Sequence, residues 1–448
     1  MIQNLLRQLR SKASAHDLMS RLMRGAALAL MVNVAGFSLG FLAQLVVGRS
    51  LGIGGYGVYA YVQAWVSFVA MICGLGLPFA LLRFVPEYRG RDEWPLMREV
   101  IFYVERRVLV VSLATAVIGA LLLTIFGEGL DQEFRWTIYI GLVAMPFLAV
   151  LRVWCAVLRA FGRIVSSLGS DLPVREGFTF LAVAVFGLGF ALINDAIDAM
   201  VVWTLGTVIG ALISLTVWRR QQLPEAWHDT VEISADTRAH WLQVALLLLV
   251  VQSLAMMIRR LDLFVVGWWF EKEDLGVYAA ANRLAEIMIF PTYVLNAYFA
   301  PTISELYSKS DLASLQKATT LTANMALGSA LILVLPLLLF PEEALGLFGQ
   351  DFTRGATALR YLAGGEFVAT AIPFATMMLT MTGHERAAVK LMCVASIGTF
   401  LLMMMAAATG TIETVAMARA AAVIMIQLSF CWLILKTTKI SPFPLIKA

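Results

Sequence analysis

The stretch VVGRSLGIGGYGVYA (Val46–Ala60) returns later in the chain as VVGWWFEKEDLGVYA (Val265–Ala279), with the same first three and last four residues. The two copies stand 219 positions apart without a gap in a chain of 448 residues. At the same offset Gln63 falls on Asn282, which puts a polar side chain at one depth of both copies. Two further identities share the offset: Tyr88 with Tyr307 and Asp92 with Asp311. A segment that recurs at half the chain length indicates that a whole structural unit is repeated.

The composition places this unit in a membrane. Hydrophobic residues make up 60% of the chain, charged residues 14%, and the mean hydropathy is +0.81. A soluble domain has about a quarter of its residues charged. The four cysteines are too scattered for a disulfide framework or metal site, and no hydrolase or ATPase motif is present, so we expect no enzyme, no cofactor and no metal. A net charge of +4 does not indicate nucleic-acid binding.

Twelve apolar runs are long enough to cross the ~30 Å hydrocarbon layer as helices. The first 24 residues, with five basic side chains among leucines, predict an interfacial amphipathic helix. The fourth run is short and is expected to extend through Arg152. The predicted spans are 26–48, 57–81, 108–126, 137–151, 176–193, 199–217, 242–269, 276–300, 318–340, 359–381, 391–409 and 415–435.

The basic residues orient these spans. With the N-terminus in the cytoplasm, inside segments hold 25 Lys and Arg and outside segments hold 6, among them Arg419. This asymmetry predicts that both termini are cytoplasmic. Six spans separate the repeated phrases, so the repeat is parallel and predicts an all-α membrane protein of two six-helix lobes. The predicted parts are a segment 1–24, a lobe 25–218, a linker 219–241, a lobe 242–435 and a tail 436–448.

Two stretches resemble a known family. GRSLGIGGYGVYAYVQAWVSFVAMICGLGLPFALLRFVPEYRGRDE (Gly48–Glu93) is similar to the first hairpin of Wzx-type polysaccharide biosynthesis flippases. LDLFVVGWWFEKEDLGVYAAANRLAEIMIFPTYVLNAYFAPTISELYSKSD (Leu261–Asp311) is similar to their seventh and eighth spans. These proteins form the polysaccharide transporter branch of the multidrug/oligosaccharidyl-lipid/polysaccharide exporter superfamily, and the resemblance covers essentially the whole chain.

The resemblance implies a flippase for undecaprenyl-pyrophosphate-linked oligosaccharide, working by alternating access in the bacterial inner membrane. It would move the glycan to the periplasmic leaflet for O-antigen, capsule or exopolysaccharide synthesis. The implied partners are this lipid-linked glycan, membrane lipids, and the polysaccharide polymerase and chain-length machinery. The alternative is a multidrug/cation antiporter of the same superfamily, which would need an acidic cavity.

Charges inside the predicted spans are costly and mark candidate functional residues. In span seven Arg259 and Asp262 are i,i+3 neighbours able to pair, whereas Arg260 has no carboxylate on its own face. The two readings are an internal salt bridge and the wall of a cationic cavity. In span eight Arg283 and Glu286 have the same i,i+3 spacing. Asn282 lies beside them and joins the predicted cavity.

Glu366 is a lone carboxylate in span ten, expected either to form an ion pair with an arginine of another helix or to take part in ion coupling. Any proton or sodium site would use Glu366, Asp262 or Glu286.

In the first lobe Asn33, Gly36, Gly40 and Gln44 form one stripe at helical spacing. This stripe is expected to permit close helix packing or, through Asn33, Gln44 and the neighbouring Gln63, to face the cavity.

At the inner end of span four Arg152 and Arg159 share a face. They are expected either to anchor the helix in the cytoplasm or to form a pyrophosphate entrance, because the arginine fork suits phosphate oxygens. Three tyrosines of the repeated hairpins are expected in the interfacial aromatic belt: Tyr56, Tyr59 and Tyr278.

Overall fold

The computed structural model describes residues 2–221, 224–229, 231, 233–292, 311–372, 378–379, 385–438 and 441, with the isolated residues 295, 299, 303 and 306. Over these residues the chain is helical and contains no strand. The helices are α1 Ile2–Cys73, α2 Leu77–Gly90, α3 Trp94–Phe126, α4 Gln132–Ala160, α5 Ile164–Ala182, α6 Ala196–Arg219, α7 Ala235–Trp269, α8 Lys272–Ala285, α9 Leu312–Leu339, α10 Pro341–Gly346, α11 Ala356–Ala371, α12 Glu385–Ala407 and α13 Ile412–Thr438.

Nine helical stretches within the described residues are long and apolar enough to cross a membrane. The first, Leu28–Cys73, covers predicted span one and most of span two, whose predicted end at residue 81 is wrong because the helix ends at Cys73 and α2 begins at Leu77. The two spans are separated by a break at Gly52, whose φ of 66° and ψ of −174° interrupt the helix. Glycine is the residue that adopts such a conformation without strain. The remaining eight stretches are Trp94–Gly129, Gln132–Ala160, Ile164–Gly189, Ala196–Arg219, Ala235–Trp269, Leu312–Leu339, Ala387–Ala407 and Ile412–Thr438.

Predicted spans eight and ten are not among these stretches. The helix α8 has 14 residues and passes into a 3₁₀ turn at Glu286–Ile289. The helix α11 has 16 residues and ends at Ala371. The inner ends of both predicted spans lie outside the described residues. The count of twelve spans, the two-lobe division and the orientation of the termini therefore stay predictions.

The predicted bounds of span five, 176–193, are wrong. The helix α5 begins twelve residues earlier, at Ile164, and continues as a π-helix over Val183–Gly189. Two charges lie in the part of α5 before the predicted span and a third begins that span: Asp171, Arg175 and Glu176. Arg175 pairs with both carboxylates within the helix, which lowers the cost of burying them. The extension of span four through Arg152 is confirmed, since α4 runs to Ala160.

The repeated hairpins pack directly against each other. The second half of α1 lies on α8, and the closest approach is between Gly57 and Gly276, which are equivalent positions of the repeat. A Cβ on Gly57 would stand 2.2 Å from the Lys272 carbonyl oxygen, and one on Gly276 would stand 1.8 Å from that of Ile53. The pairing of equivalent residues is the arrangement that a two-fold axis produces. The two repeated segments, Val46–Ala60 and Val265–Ala279, therefore contact each other directly.

The predicted interfacial position of the three tyrosines is wrong, because all three are at most 1% exposed. Close helix packing buries their rings, and their hydroxyls meet polar side chains inside the molecule. The Tyr278 hydroxyl donates to Asp262 at 2.9 Å. The Tyr59 hydroxyl accepts from the Gln63 amide at 3.1 Å.

Candidate functional site

The charges of predicted spans seven and eight meet at Glu286, in the 3₁₀ turn after α8. One carboxylate oxygen of Glu286 pairs with Arg260 of α7 at 2.8 Å, and the other with Arg283 of α8 at 2.9 Å. The 3₁₀ turn positions this carboxylate between the two helices. The three side chains are 16–29% exposed, so the cluster is half-buried and accessible from a cavity.

A second ion-paired group lies deeper between α7, α11 and α13. Arg419 contacts Glu366 at 3.1 Å and Asp262 at 3.6 Å, and Asp262 is 0% exposed. The arginine of another helix that was expected beside Glu366 is therefore Arg419. A part of Glu366, Asp262 or Glu286 in ion coupling stays a prediction. The sequence predicts that Arg419 lies about one turn from the periplasmic surface of the membrane, and that depth stays a prediction. Within the protein the residue is buried, with 7% of it exposed.

The expected pair between Arg259 and Asp262 does not form. Asp262 is held by Arg419 and Tyr278, whereas Arg259 is exposed and has no ion pair within the described residues. Asp262 pairs with a residue of another helix because its position on α7 places that carboxylate in the protein interior. The cluster then contains four arginines and three carboxylates, which is a net charge of +1.

Three cavities adjoin this cluster. The main cavity has a volume of ≈ 710 Å³ and lies between the first half of α1, the 3₁₀ turn and α9. The side cavity of ≈ 240 Å³ lies among α7, α8, α11 and α13, and the small cavity of ≈ 110 Å³ lies between α1, α7 and α8. Glu286 lines all three cavities, and Arg259 lines the main and side cavities. The charged cluster is therefore the junction of the cavity system.

The first half of the chain contributes polar groups to the small cavity. The Gln44 amide donates to Gln63 at 3.0 Å, and both residues line this cavity. Gly40 of the predicted stripe permits close helix packing and also lies beside the charged residues of the site. A Cβ there would stand 3.3 Å from Arg283 Nη2 and 3.5 Å from Glu176 Cγ. Asn33 instead donates to the Ala29 carbonyl of its own helix at 3.2 Å.

Sequence reasoning missed the charged group of α5. Arg175 pairs with Asp171 at 3.1 Å and with Glu176 at 3.0 Å. Glu176 is 5% exposed, and its Oε2 has no hydrogen-bond partner within the described structure. The i,i+4 spacing of Asp171 and Arg175 was a sequence signal for a pair inside a helix.

The two arginines of the predicted pyrophosphate entrance lie apart from the three cavities. Arg152 donates to the Ser67 carbonyl at 3.1 Å and so ties α4 to the second half of α1. Arg159 is exposed and donates to the Cys155 carbonyl of its own helix at 3.3 Å. The entrance stays a prediction.

At the opposite end of α8 another contact joins the two halves of the chain. Lys272 Nζ donates to Asp131 at 3.1 Å and lies 3.9 Å from Glu133. The bond to Asp131 raises the pKa of Lys272 above its ordinary value of 10.5. The charge on Lys272 is therefore present at physiological pH, and the interaction is lost only as the pH rises through that raised pKa.

Comparison with known proteins assigns the chain to a family. The family model described as "Polysaccharide biosynthesis protein" matches residues 22–307. The chain belongs to the polysaccharide biosynthesis protein family. A second model, MatE, matches residues 248–409. No curated protein matches the chain.

Solved structures show that the fold of this polysaccharide biosynthesis protein is that of a transporter superfamily. An inward-facing multidrug resistance MATE transporter of the MOP superfamily is similar with a TM-score of 0.72 and 15% identity, over 92% of this chain and 98% of that one. The outward-facing form gives 0.64 and 15%, over 93% and 95%. A MOP superfamily transporter from Pyrococcus furiosus, described as having a binding pocket of reverse polarity, gives 0.62 and 16%, over 92% and 95%. The chain is thus a multi-pass membrane protein with the fold of these transporters.

Proposed function

We propose that the protein is a flippase that moves an isoprenoid-pyrophosphate-linked oligosaccharide across the bacterial inner membrane by alternating access. The family match and the transporter fold support the class. The substrate is argued from the charge and the walls of the cavities. The polysaccharide polymerase and the chain-length machinery are the partners proposed to act on the translocated product.

The exposed guanidinium of Arg259, which has no ion pair within the described residues, is the observation that carries this proposal. This guanidinium is exposed where the main and side cavities meet, and no carboxylate of the described residues lies within ion-pair distance of it. An unpaired arginine at membrane depth is expensive unless it faces water or an anion. A guanidinium binds two oxygens of a phosphate group through parallel hydrogen bonds, which suits a pyrophosphate.

The walls of the main cavity suit the lipid part of this substrate. Around the charges at its rim the lining is mostly aliphatic and aromatic, with rings from both halves of the chain. Phe37 of α1 and Phe290 stand edge to face with ring centroids 6.0 Å apart. An apolar cavity with a few charged groups at one side is the arrangement that an amphipathic lipid requires.

One observation favours the antiporter alternative: the MatE model matches residues 248–409, which contain most of the cluster. A cavity for cationic drugs needs an excess of carboxylates, because an unpaired arginine repels a cation. Here each of the three carboxylates of the cluster is paired with an arginine, and a fourth arginine is left over. The charge balance therefore supports the anionic substrate.

Replacing Arg259 with alanine tests this proposal. Polysaccharide export in a deletion strain should fall at least about tenfold, since a hydrogen bond to a charged group contributes roughly 1.5–3 kcal/mol. Arg259→Lys should restore part of the activity, because it keeps the charge and loses the fork. Arg354→Ala, at an exposed arginine away from the cavities, is the matched control. Wild-type export from Arg259→Ala at equal membrane expression would contradict the proposal.

A further inference from the structure

The side cavity differs in chemistry from the main cavity that it adjoins. Four helices surround it, and each brings a polar side chain to the wall: Arg259 from α7, Asn282 from α8, Glu366 from α11 and Gln427 from α13. Its volume of ≈ 240 Å³ is below the roughly 300–1,000 Å³ of sites that enclose a whole ligand. The cavity therefore has the size for one polar part of a larger molecule.

Asn282 is a polar residue of the side cavity that the described residues leave without a hydrogen bond. The residue is 6% exposed, and within the described chain its amide makes no hydrogen bond. A buried amide with two donor hydrogens and an acceptor oxygen is normally satisfied, because burial without a partner costs roughly 1–3 kcal/mol. The amide lines both the side cavity and the small cavity, so its partner has to come from the cavity contents.

The other walls indicate a neutral partner with hydroxyl groups. Gln427 Nε2 is engaged by the Ile372 carbonyl, which leaves its amide oxygen as an acceptor. Glu366 gives one oxygen to Arg419, and no contact of the described residues takes the other. The wall thus offers both donors and acceptors, as hydroxyl groups require, since each hydroxyl both donates and accepts. A free cation is disfavoured there by Arg259 and Arg419.

We infer that the side cavity binds the sugar ring attached directly to the pyrophosphate, with Asn282 as the central hydrogen-bonding residue. This inference rests on the proposed function. Arg259 lines both cavities, so a phosphate held by it lies next to the side cavity, where the first sugar of the same molecule would follow. The remaining sugars of the glycan lie outside this subsite. Recognition through hydroxyl groups also lets the site discriminate between sugars, because a missing hydroxyl leaves buried polar groups unpaired.

Binding of two lipids to the purified full-length protein tests the subsite. The probes are undecaprenyl pyrophosphate without sugar and the native lipid-linked glycan extracted from a deletion strain, each measured by native mass spectrometry. Asn282→Leu should weaken binding of the lipid-linked glycan about tenfold and leave binding of the bare pyrophosphate unchanged. Asn282→Ala is the second variant, for the case in which leucine prevents folding. Ser429→Ala, whose hydroxyl bonds the Met425 carbonyl of α13, is the matched control.

Three outcomes are informative. Loss for the glycan alone supports the sugar subsite. Equal loss for both lipids, or no loss for either, overturns it, because the side cavity would then hold pyrophosphate or only water. Failure of the wild-type protein to bind either lipid overturns the proposed function itself, so the two failures are distinguishable.

Discussion

Replacing Glu286 with glutamine should make the protein bind an anionic lipid more tightly and release it more slowly. Within the part of the chain that the structure describes, Glu286 is the one carboxylate that pairs with both Arg260 and Arg283, at 2.8 and 2.9 Å. Glutamine keeps the shape of the side chain and removes its charge. Both guanidiniums then become free to bind phosphate oxygens in the cavity, where the native carboxylate competes with the substrate.

The size of the effect follows from the exposure of these side chains. A hydrogen bond to a charged group contributes roughly 1.5–3 kcal/mol, and 16–29% exposure to the cavity puts these bonds near the lower end. One arginine transferred from Glu286 to the substrate therefore lowers the Kd about tenfold. Tighter binding mostly slows dissociation, so turnover should fall by a similar factor.

Fluorescence of the native tryptophans, titrated with undecaprenyl pyrophosphate in detergent, measures the Kd. Transbilayer movement in proteoliposomes measures turnover. Glu343→Gln, at an exposed carboxylate of α10, controls for the loss of one negative charge. An unchanged or higher Kd for Glu286→Gln would refute the reasoning, because it would mean that the carboxylate fixes the helices and does not compete with the substrate.

A reporter fused at Arg238 should read cytoplasmic and one in the turn before α6 extracytoplasmic; the reverse result would overturn the orientation by basic residues. Gly57→Ala should abolish accumulation of folded protein, because its methyl group would stand 2.2 Å from a backbone oxygen, whereas Gly364→Ala, with open space around it, should be tolerated. Lys272→Cys combined with Asp131→Cys should block transport on oxidation and recover on reduction. Transport by the cross-linked protein would mean that the two halves do not separate at this end.

The helical membrane architecture was predictable because apolar runs of about 20 residues report directly on the bilayer. The charged residues inside the helices could not be interpreted from apolar runs alone. A hydropathy scale counts Asp171 and Arg175, in the first half of α5, as two separate penalties. In the helix they form a 3.1 Å pair, and the penalty is largely removed.

The members of the charged cluster were mostly predictable, but their partners were not. Spacing along one helix suggested Arg259 for Asp262, because a sequence shows directly only the contacts between neighbours three or four positions apart on one helix. The actual partner, Arg419, lies on α13 and reaches Asp262 only through helix packing. The same packing leaves Arg259 unpaired at the cavity. Gln427 had a sequence signal, since Arg419 and Gln427 are eight residues apart on one face of a helix.

Movement of the lipid-linked glycan across a vesicle membrane tests the central claim most directly. The glycan lipid extracted from a deletion strain is placed in proteoliposomes with the wild-type protein or with Arg259→Ala, and its appearance in the outer leaflet is followed with a membrane-impermeant lectin or glycosidase. The account predicts rapid movement with the wild-type protein and at least about a tenfold slower rate with Arg259→Ala. Equal rates for the two proteins would contradict it. A wild-type protein that exports a cationic dye but does not move the glycan lipid would also contradict it.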